Sequence, residues 1–324
     1  MGYIHGGREL PLVPFVFGTT QNLDIPRDRI LRHIDLFFSG TLTGSTSSGS
    51  TVGAVITGGV ADLITSVSVI GNGVTTLFSM DGRSLWEQNK QDSGVLPQLL
   101  DPVASTIGAK NINCFLRIPF ENQLSINPSD TRLNAASFQS LTLKIQWAAS
   151  ADGTVYTSAR TASDSMPSTD GITPFLVEST FPSVPSFLRL QEFSDLTITS
   201  ANANLQHSLR LSKVGKYQRI GLKSDSDGAM NNAVIDSVTL TTGANIDHIG
   251  NWDWDMIQYS NQLRSGSAAI STGFSYLYLT EGGMWTTGLT TSDTNSCDLN
   301  LNVTSPGTTE TVRVHTDFIQ PIAR

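Results

Sequence analysis

An all-β chain of two tandem eight-stranded antiparallel barrels, with a few short helices, is the fold class the sequence predicts, and three observations predict it. Short β-branched and aromatic runs with period-two alternation recur through the 324 residues, bounded by Gly, Asn, Asp or Ser clusters. One strand–turn–helix pattern occurs twice, over residues 64–94 and 235–266. A proline-bearing stretch separates two halves of roughly 150 residues each, enough for eight or so strands. An eight-stranded antiparallel domain with Greek-key links is a jelly roll.

Taken in chain order, the strand signals are residues 30–38 (ILRHIDLFF), 64–70 (ITSVSVI), 114–120 (CFLRIPF), 141–147 (LTLKIQW), 274–279 (FSYLYL), 299–303 (LNLNV) and 311–314 (TVRV). No long segment sustains helical periodicity or alternates strand with helix, which argues against Rossmann and TIM architectures.

The repeat aligns Ile64-Thr65-Ser66-Val67-Ser68-Val69 with Ile235-Asp236-Ser237-Val238-Thr239-Leu240 at an offset of 171. After one inserted residue the offset becomes 172, pairing Val74 with Ile246, Leu77 with Ile249, Leu85 with Ile257, Asn89 with Asn261 and Ser93-Gly94 with Ser265-Gly266. Upstream, Arg32-His33-Ile34-Asp35-Leu36 parallels Gln218-Arg219-Ile220-Gly221-Leu222; downstream, the run near Leu141 parallels that near Leu299, and Val155-Tyr156 parallels Val312-Arg313. Both copies carry a helix signal. In the first, Asp81 caps and Leu85-Trp86 face inward. In the second, Asn251 is the expected N-cap, Asp253 and Asp255 complement the dipole, and Trp252, Met256, Tyr259 and Leu263 form the inward stripe at i, i+4, i+7 and i+11.

Residues 159–187 carry Pro167, Pro174, Pro182 and Pro185, which supply no ladder donors, and are expected to be the linker. The domains are accordingly 1–168, a first barrel with an N-terminal arm, and 169–324, the linker and a second barrel with a C-terminal tail.

Composition narrows the function. Charged residues are only 15%, against roughly 25% in an ordinary domain, while Ser and Thr number 38 and 36. Hydrophobic content of 39% and a net charge of -8 do not fit a disordered chain. With 20 Lys+Arg against 28 Asp+Glu the chain lacks the basic excess of a phosphate-coating protein, so direct nucleic-acid binding is not expected. The first twelve residues lack the basic and apolar regions of a secretory signal, and folding in the cytoplasm is expected. The longest charge-free run, 36–61, is too rich in Gly, Ser and Thr to span a bilayer. Cys114 and Cys297, the two cysteines, are expected to be buried free thiols.

With the duplicated unit, the proline-rich connection, the missing signal and the weakly charged Ser/Thr/Gly-rich composition, the chain resembles the double jelly-roll major capsid proteins of tailless icosahedral viruses. The likeness is to the compact, bacterial-virus type from membrane-containing virions in particular, and it covers most of 21–324. No invariant catalytic motif defines that family, so it carries over no catalytic, cofactor-binding or metal residue. What the resemblance implies is a non-enzymatic major capsid protein whose homotrimers present six near-equivalent lobes and tile a shell. Its partners would be further copies of itself, neighbouring trimers, minor capsid and vertex proteins and an internal viral membrane, and its place the virion capsid, assembled in the host cytoplasm. The segments expected to lock trimers together are the arm 1–21, the loop 40–59 and the tail 315–324, whose Phe318, Ile319 and Ile322 must pack on something.

Other chemistry has weaker support. Asp225 and Asp227, with Gly228, Asn231 and Asn232, look like part of a calcium loop, but the EF-hand spacing is missing and a solvated turn explains them. Asp253 and Asp255 beside Trp252 and Trp254, near Asp247-His248, could be read as a sugar site, but helix capping accounts for both aspartates without a substrate. His5, His33, His207, His248 and His315 show no metal-binding spacing. Gly71-Asn72-Gly73 reads as turn chemistry, and the cluster Arg27, Arg29, Arg32, His33 is offset by Asp28 and Asp35. The alternative function is a tandem jelly-roll glycan-binding or glycan-cleaving, amidase-like protein; an adhesin or spike is a third.

Overall fold

The computed structural model describes residues 5–46, 54–102, 108–122, 127–157, 162–179, 185–199, 205–212, 215–243, 246–266, 271–280, 287–291, 296–304 and 307–322. The chain divides into two compact units, one of residues 1–90, 95–122 and 132–185 and one of 91–94, 123–131 and 186–324.

Among the described residues, eight main strands build the first unit, besides four short ones of two to four residues: β1 (His5–Glu9), β2 (Thr20–Asp24), β3 (Ile30–Thr46), β4 (Ile64–Gly71), β5 (Thr75–Met80), β6 (Gly108–Pro119), β7 (Leu141–Trp147) and β8 (Gly171–Ser179). They pair antiparallel into two sheets, ordered β1-β8-β3-β6 and β2-β7-β4-β5. Helix α1 (Gly82–Ser93) follows β5. The second unit holds β9 (Phe187–Thr199), β10 (Gln206–Arg210), β11 (Lys216–Ser226), β12 (Ile235–Thr242), β13 (Ile246–Asp253), β14 (Phe274–Tyr278), β15 (Cys297–Val303) and β16 (Thr309–Pro321), with α2 (Trp254–Ser265) after β13. Its sheets are β9-β16-β11-β14 and β10-β15-β12-β13. Each of the eight main strands of the first unit therefore has its counterpart eight places later, in the same sheet position. Two eight-stranded jelly rolls stand in one chain.

Alternation along the strands places the cores. In β7 and β15 every second residue, Leu141, Leu143, Ile145, Trp147 and Cys297, Leu299, Leu301, Val303, is buried. In the first unit Phe38 of β3 and Trp147 of β7 meet across the sandwich at 5.3 Å, and Phe15 lies 4.7 Å from Trp147 and 5.9 Å from Phe38. In the second, the rings of Tyr217 of β11 and Phe318 of β16 lie tilted at 5.4 Å, and Leu222 and Val314 of the same strands are buried.

Several sequence expectations are corrected here. The arm is not free: β1 pairs with β8, Val13 and Pro14 add two further pairs to β8, and β2 pairs with β7. Leu10, Val13 and Phe15 are buried. Residues 1–4 lie outside the described residues. Part of the expected linker is β8, a central strand between β1 and β3, while 158–161 and 180–184 lie outside the described residues. Pro174 fits there because the N–H and C=O of one residue in an antiparallel strand point the same way. Its carbonyl accepts from Leu10 N at 2.9 Å, so its missing donor faces the gap between β1 and the 13–14 pair, not the ladder to β3. The last strand of the first barrel is β8, not Val155-Tyr156, of which Tyr156 makes only isolated bridges. The first seven of the twenty residues of the expected loop 40–59 are strand as well, since β3 runs to Thr46; 47–53 lie outside the described residues. The tail 315–321 belongs to β16, pairing with β9 and β11 and burying Phe318 and Ile319.

Removing residues 1–21 takes away β1 and the Phe15 ring together. The truncated chain should lose its cooperative thermal transition, and Phe15→Ala alone should cost about 3–5 kcal/mol in chemical denaturation; an intact transition after truncation would contradict the arm's place in the core.

Candidate functional site

The duplicated unit is where the two barrels agree to the residue. In the first, the side-chain amide of Asn89 in α1 donates to Arg117 O at 2.9 Å and its oxygen accepts from Arg117 N at 2.6 Å. In the second, Asn261 of α2 donates to Tyr276 O at 2.7 Å and accepts from Tyr276 N at 2.9 Å. Each asparagine therefore clamps its helix to one backbone residue of β6 or β14. Those residues face Asp35 and Gly221 across β3 and β11, the pair matched by the sequence alignment. Asp35 forms an ion pair with Arg117 at 2.7 Å, whereas a Cβ on Gly221 would come within 2.7 Å of the Tyr276 ring, so that position needs glycine. Asp81 caps α1, its carboxylate accepting from Ser84 N at 2.8 Å and Ser84 Oγ at 2.7 Å. In α2 the N-cap is Asp253, not Asn251, which lies in β13; no side-chain cap bond forms, and Asn232 Oδ1 instead accepts from Gln258 at 2.8 Å and from Gly273 N at 2.6 Å.

Among the described residues, much of the buried charge lies in paired chains. In the second unit Arg189 reaches Asp317 at 2.5 Å, Asp317 reaches Arg219 at 2.9 Å, and Arg219 pairs with Asp92 while its guanidinium lies 4.3 Å over the Tyr276 ring. Burial works to raise the Asp317 carboxyl, but Arg189 and Arg219 override it and hold it at about 2. In the first unit Glu121 accepts from Arg32 and Arg132, each at 2.8 Å, and these bonds lower it against the opposing effect of burial. The basic cluster seen in the sequence is absorbed likewise: Arg32 by Glu121, Arg29 by Glu178 at 3.5 Å, His33 beside Asp35 at 3.6 Å, and Arg27 on Phe138 O at 2.8 Å.

Asp227 and Gly228, both at positive φ, form the two-residue turn after β11. The Asp227 carboxylate accepts from Thr308 N at 3.1 Å and Thr309 N at 3.0 Å, bonds that lower it, and Asp225 faces Lys223 at 3.5 Å. Among the described residues no three His, Cys, Asp or Glu gather as a metal group would require. Asp253 and Asp255 stand exposed at the start of α2; the side chains of Asp247 and His248 lie outside the described residues. His33, His207 and His315 lie in β3, β10 and β16. Cys114 and Cys297 are buried free thiols, and burial raises Cys297 to about 11 and Cys114 further still.

The predicted stripe of α2 faces the other way. Trp254, Ile257, Gln258 and Asn261 are buried, while Trp252, Met256, Tyr259 and Leu263 are exposed. Hydrophobicity pointed to the wrong face because the inward one is half polar, Gln258 and Asn261 being spent on backbone bonds.

No protein-family profile and no curated protein matches this chain by sequence. Its fold does have counterparts, and they define a class: this is the double jelly-roll fold of viral major capsid proteins. The crystal structure of the major capsid protein of Sulfolobus Turreted Icosahedral Virus superposes with a TM-score of 0.73 at 14% identity, over 97% of this chain and 96% of that one. The major capsid protein of bacteriophage PM2 gives 0.64 at 12%, over 99% of each chain, and the PBCV-1 virus capsid 0.61 at 10%, over 98% and 94%. At these identities the likeness is one of fold, and it extends beyond bacterial viruses.

Two measurements check this chemistry. Asn89→Leu and Asn261→Leu each strand a strand N–H and C=O, at about 1–3 kcal/mol per group; chemical denaturation should show comparable losses, and a neutral result at either would break the equivalence of the clamps. Because Asp317 is depressed, its stabilisation is complete above the unfolded value near 3.8 and is lost as pH falls through about 2. Asp317→Asn should therefore flatten the loss of stability between about pH 4 and pH 2, while costing roughly 3–5 kcal/mol at neutral pH by leaving two buried guanidiniums short of a partner.

Proposed function

We propose that this chain is the major capsid subunit of an icosahedral virus, assembling as a homotrimer of pseudo-sixfold outline. The observation that carries the reading is the residue-level match of the two barrels, from strand order to the clamps of Asn89 and Asn261. Two equivalent lobes per chain on a closed threefold axis give six similar lobes, and six lobes tile a flat facet. Trimers would join neighbouring trimers along facets and meet minor and vertex proteins where the lattice bends, with an internal membrane as a further partner beneath the shell. The acidic balance of the chain suits a surface kept from nucleic acid. The protein would act without catalysis, fold in the host cytoplasm and reside in the virion. A host assignment to bacteria rests on the sequence resemblance alone.

Three chains of 34.8 kDa make about 104 kDa. Sedimentation of the purified protein should find that mass and electron micrographs should show six-lobed particles. A stable monomer that hydrolyses glycans would sink the proposal in favour of the amidase-like alternative.

A further inference from the structure

Helix α2 leaves a whole face bare. Met256, Tyr259 and Leu263 of α2 are 56%, 59% and 69% exposed, and Trp252, at the end of β13 just before the helix, is 41% exposed. The spacing of the three helix residues puts them on one side of α2, and with Trp252 they offer on the order of 400 Å² of apolar surface, the size of the largest patch on an ordinary monomer. Isolated exposed apolar residues need no explanation; a row of four does.

The first copy supplies the comparison. The positions 172 residues earlier are Met80, Ser84, Glu87 and Gln91, and all four are buried. Three of them are polar, and two are satisfied locally: Ser84 by Asp81 at 2.7 Å, Glu87 by Lys90 at 3.5 Å and Arg83 at 3.7 Å. The same helix face is thus covered and polar in α1, bare and apolar in α2.

We infer that the α2 stripe is a docking surface for a second copy of this chain, which buries it as the matching face of α1 is buried. The inference rests on the capsid proposal and deepens it by naming the contact. A face that is covered as the chain folds can be polar, provided its groups find partners. A face covered only on association must offset lost translational freedom, and apolar area does that. Trp, Tyr and Met are enriched at the buried centres of interfaces, and Asp253, Asp255 and Arg264 form a polar rim here. A stable interface takes roughly 800 Å² from each partner, so the stripe is the apolar centre of the contact and not its full extent. In a closed ring the contact is heterologous, one chain's α2 meeting a different surface of the next.

The test is the double variant Met256→Asp, Leu263→Asp in the full chain, with Met256→Leu as the conservative control, compared with wild type by sedimentation, thermal unfolding and flotation with anionic phosphatidylserine vesicles. Both sites are exposed in the single chain, so each variant should keep the helical and strand signal. The expected result is a monomeric double variant beside a trimeric wild type and trimeric control, with the dissociation constant raised at least 100-fold. A double variant that remains trimeric overturns the inference and leaves the capsid proposal standing. A double variant that remains trimeric but no longer floats with vesicles assigns the stripe to lipid and overturns it as well. A wild type monomeric at every concentration overturns both.

Discussion

In each barrel one carboxamide closes the open edge of a strand. Arg117 and Tyr276 each turn their N–H and C=O away from the neighbouring strand, and an unpaired strand edge is a template for unwanted pairing. Asn89 and Asn261 occupy both groups at once, from helices that the chain places immediately after the fourth sheet partner. The helix is thereby fixed against the sandwich, and the face it turns outward is fixed with it. Which side each helix turns away from its clamped strand follows from that anchoring.

The repetition is strict in geometry and loose in chemistry. Asp35 with Arg117 is an ion pair where Gly221 with Tyr276 is a ring seated over a missing side chain. The second barrel holds a buried run, Arg189–Asp317–Arg219, joined by Asp92, while the first centres its own on Glu121 between Arg32 and Arg132. Such runs add little net stability over an apolar core but are costly to break at one member, so they fix which arrangement the strands adopt. The backbone pattern is shared because hydrogen-bond geometry leaves few choices, whereas side-chain contacts at matched positions are free to diverge.

Much of this was legible in the residues. The alternating runs of β7 and β15 announced themselves because one face is buried and the other wet, and the repeat was visible because Ile, Val, Leu and Asn recur at a fixed offset. Three features were hidden. Strands β1 and β2, HGGRE and TQNLD, are too short and polar to show alternation and are recognisable only by their partners. Strand β8 contains Pro174, tolerated because its donor side faces a break in pairing that only the fold reveals. The inward face of α2 was masked because Gln258 and Asn261 are buried for their hydrogen bonds, while the more apolar side is left to solvent.

The clamps also set how such a protein would age. Hydrolysis of an asparagine amide leaves a carboxylate, which can still accept from the strand N–H but has nothing to offer the strand C=O. A deamidated Asn89 or Asn261 would meet a carbonyl oxygen with a negative charge, in a place where water is scarce. Long-lived particles built from this fold would therefore keep those two amides dry, and the chemical half-life of the amides would set a ceiling on the useful life of each barrel.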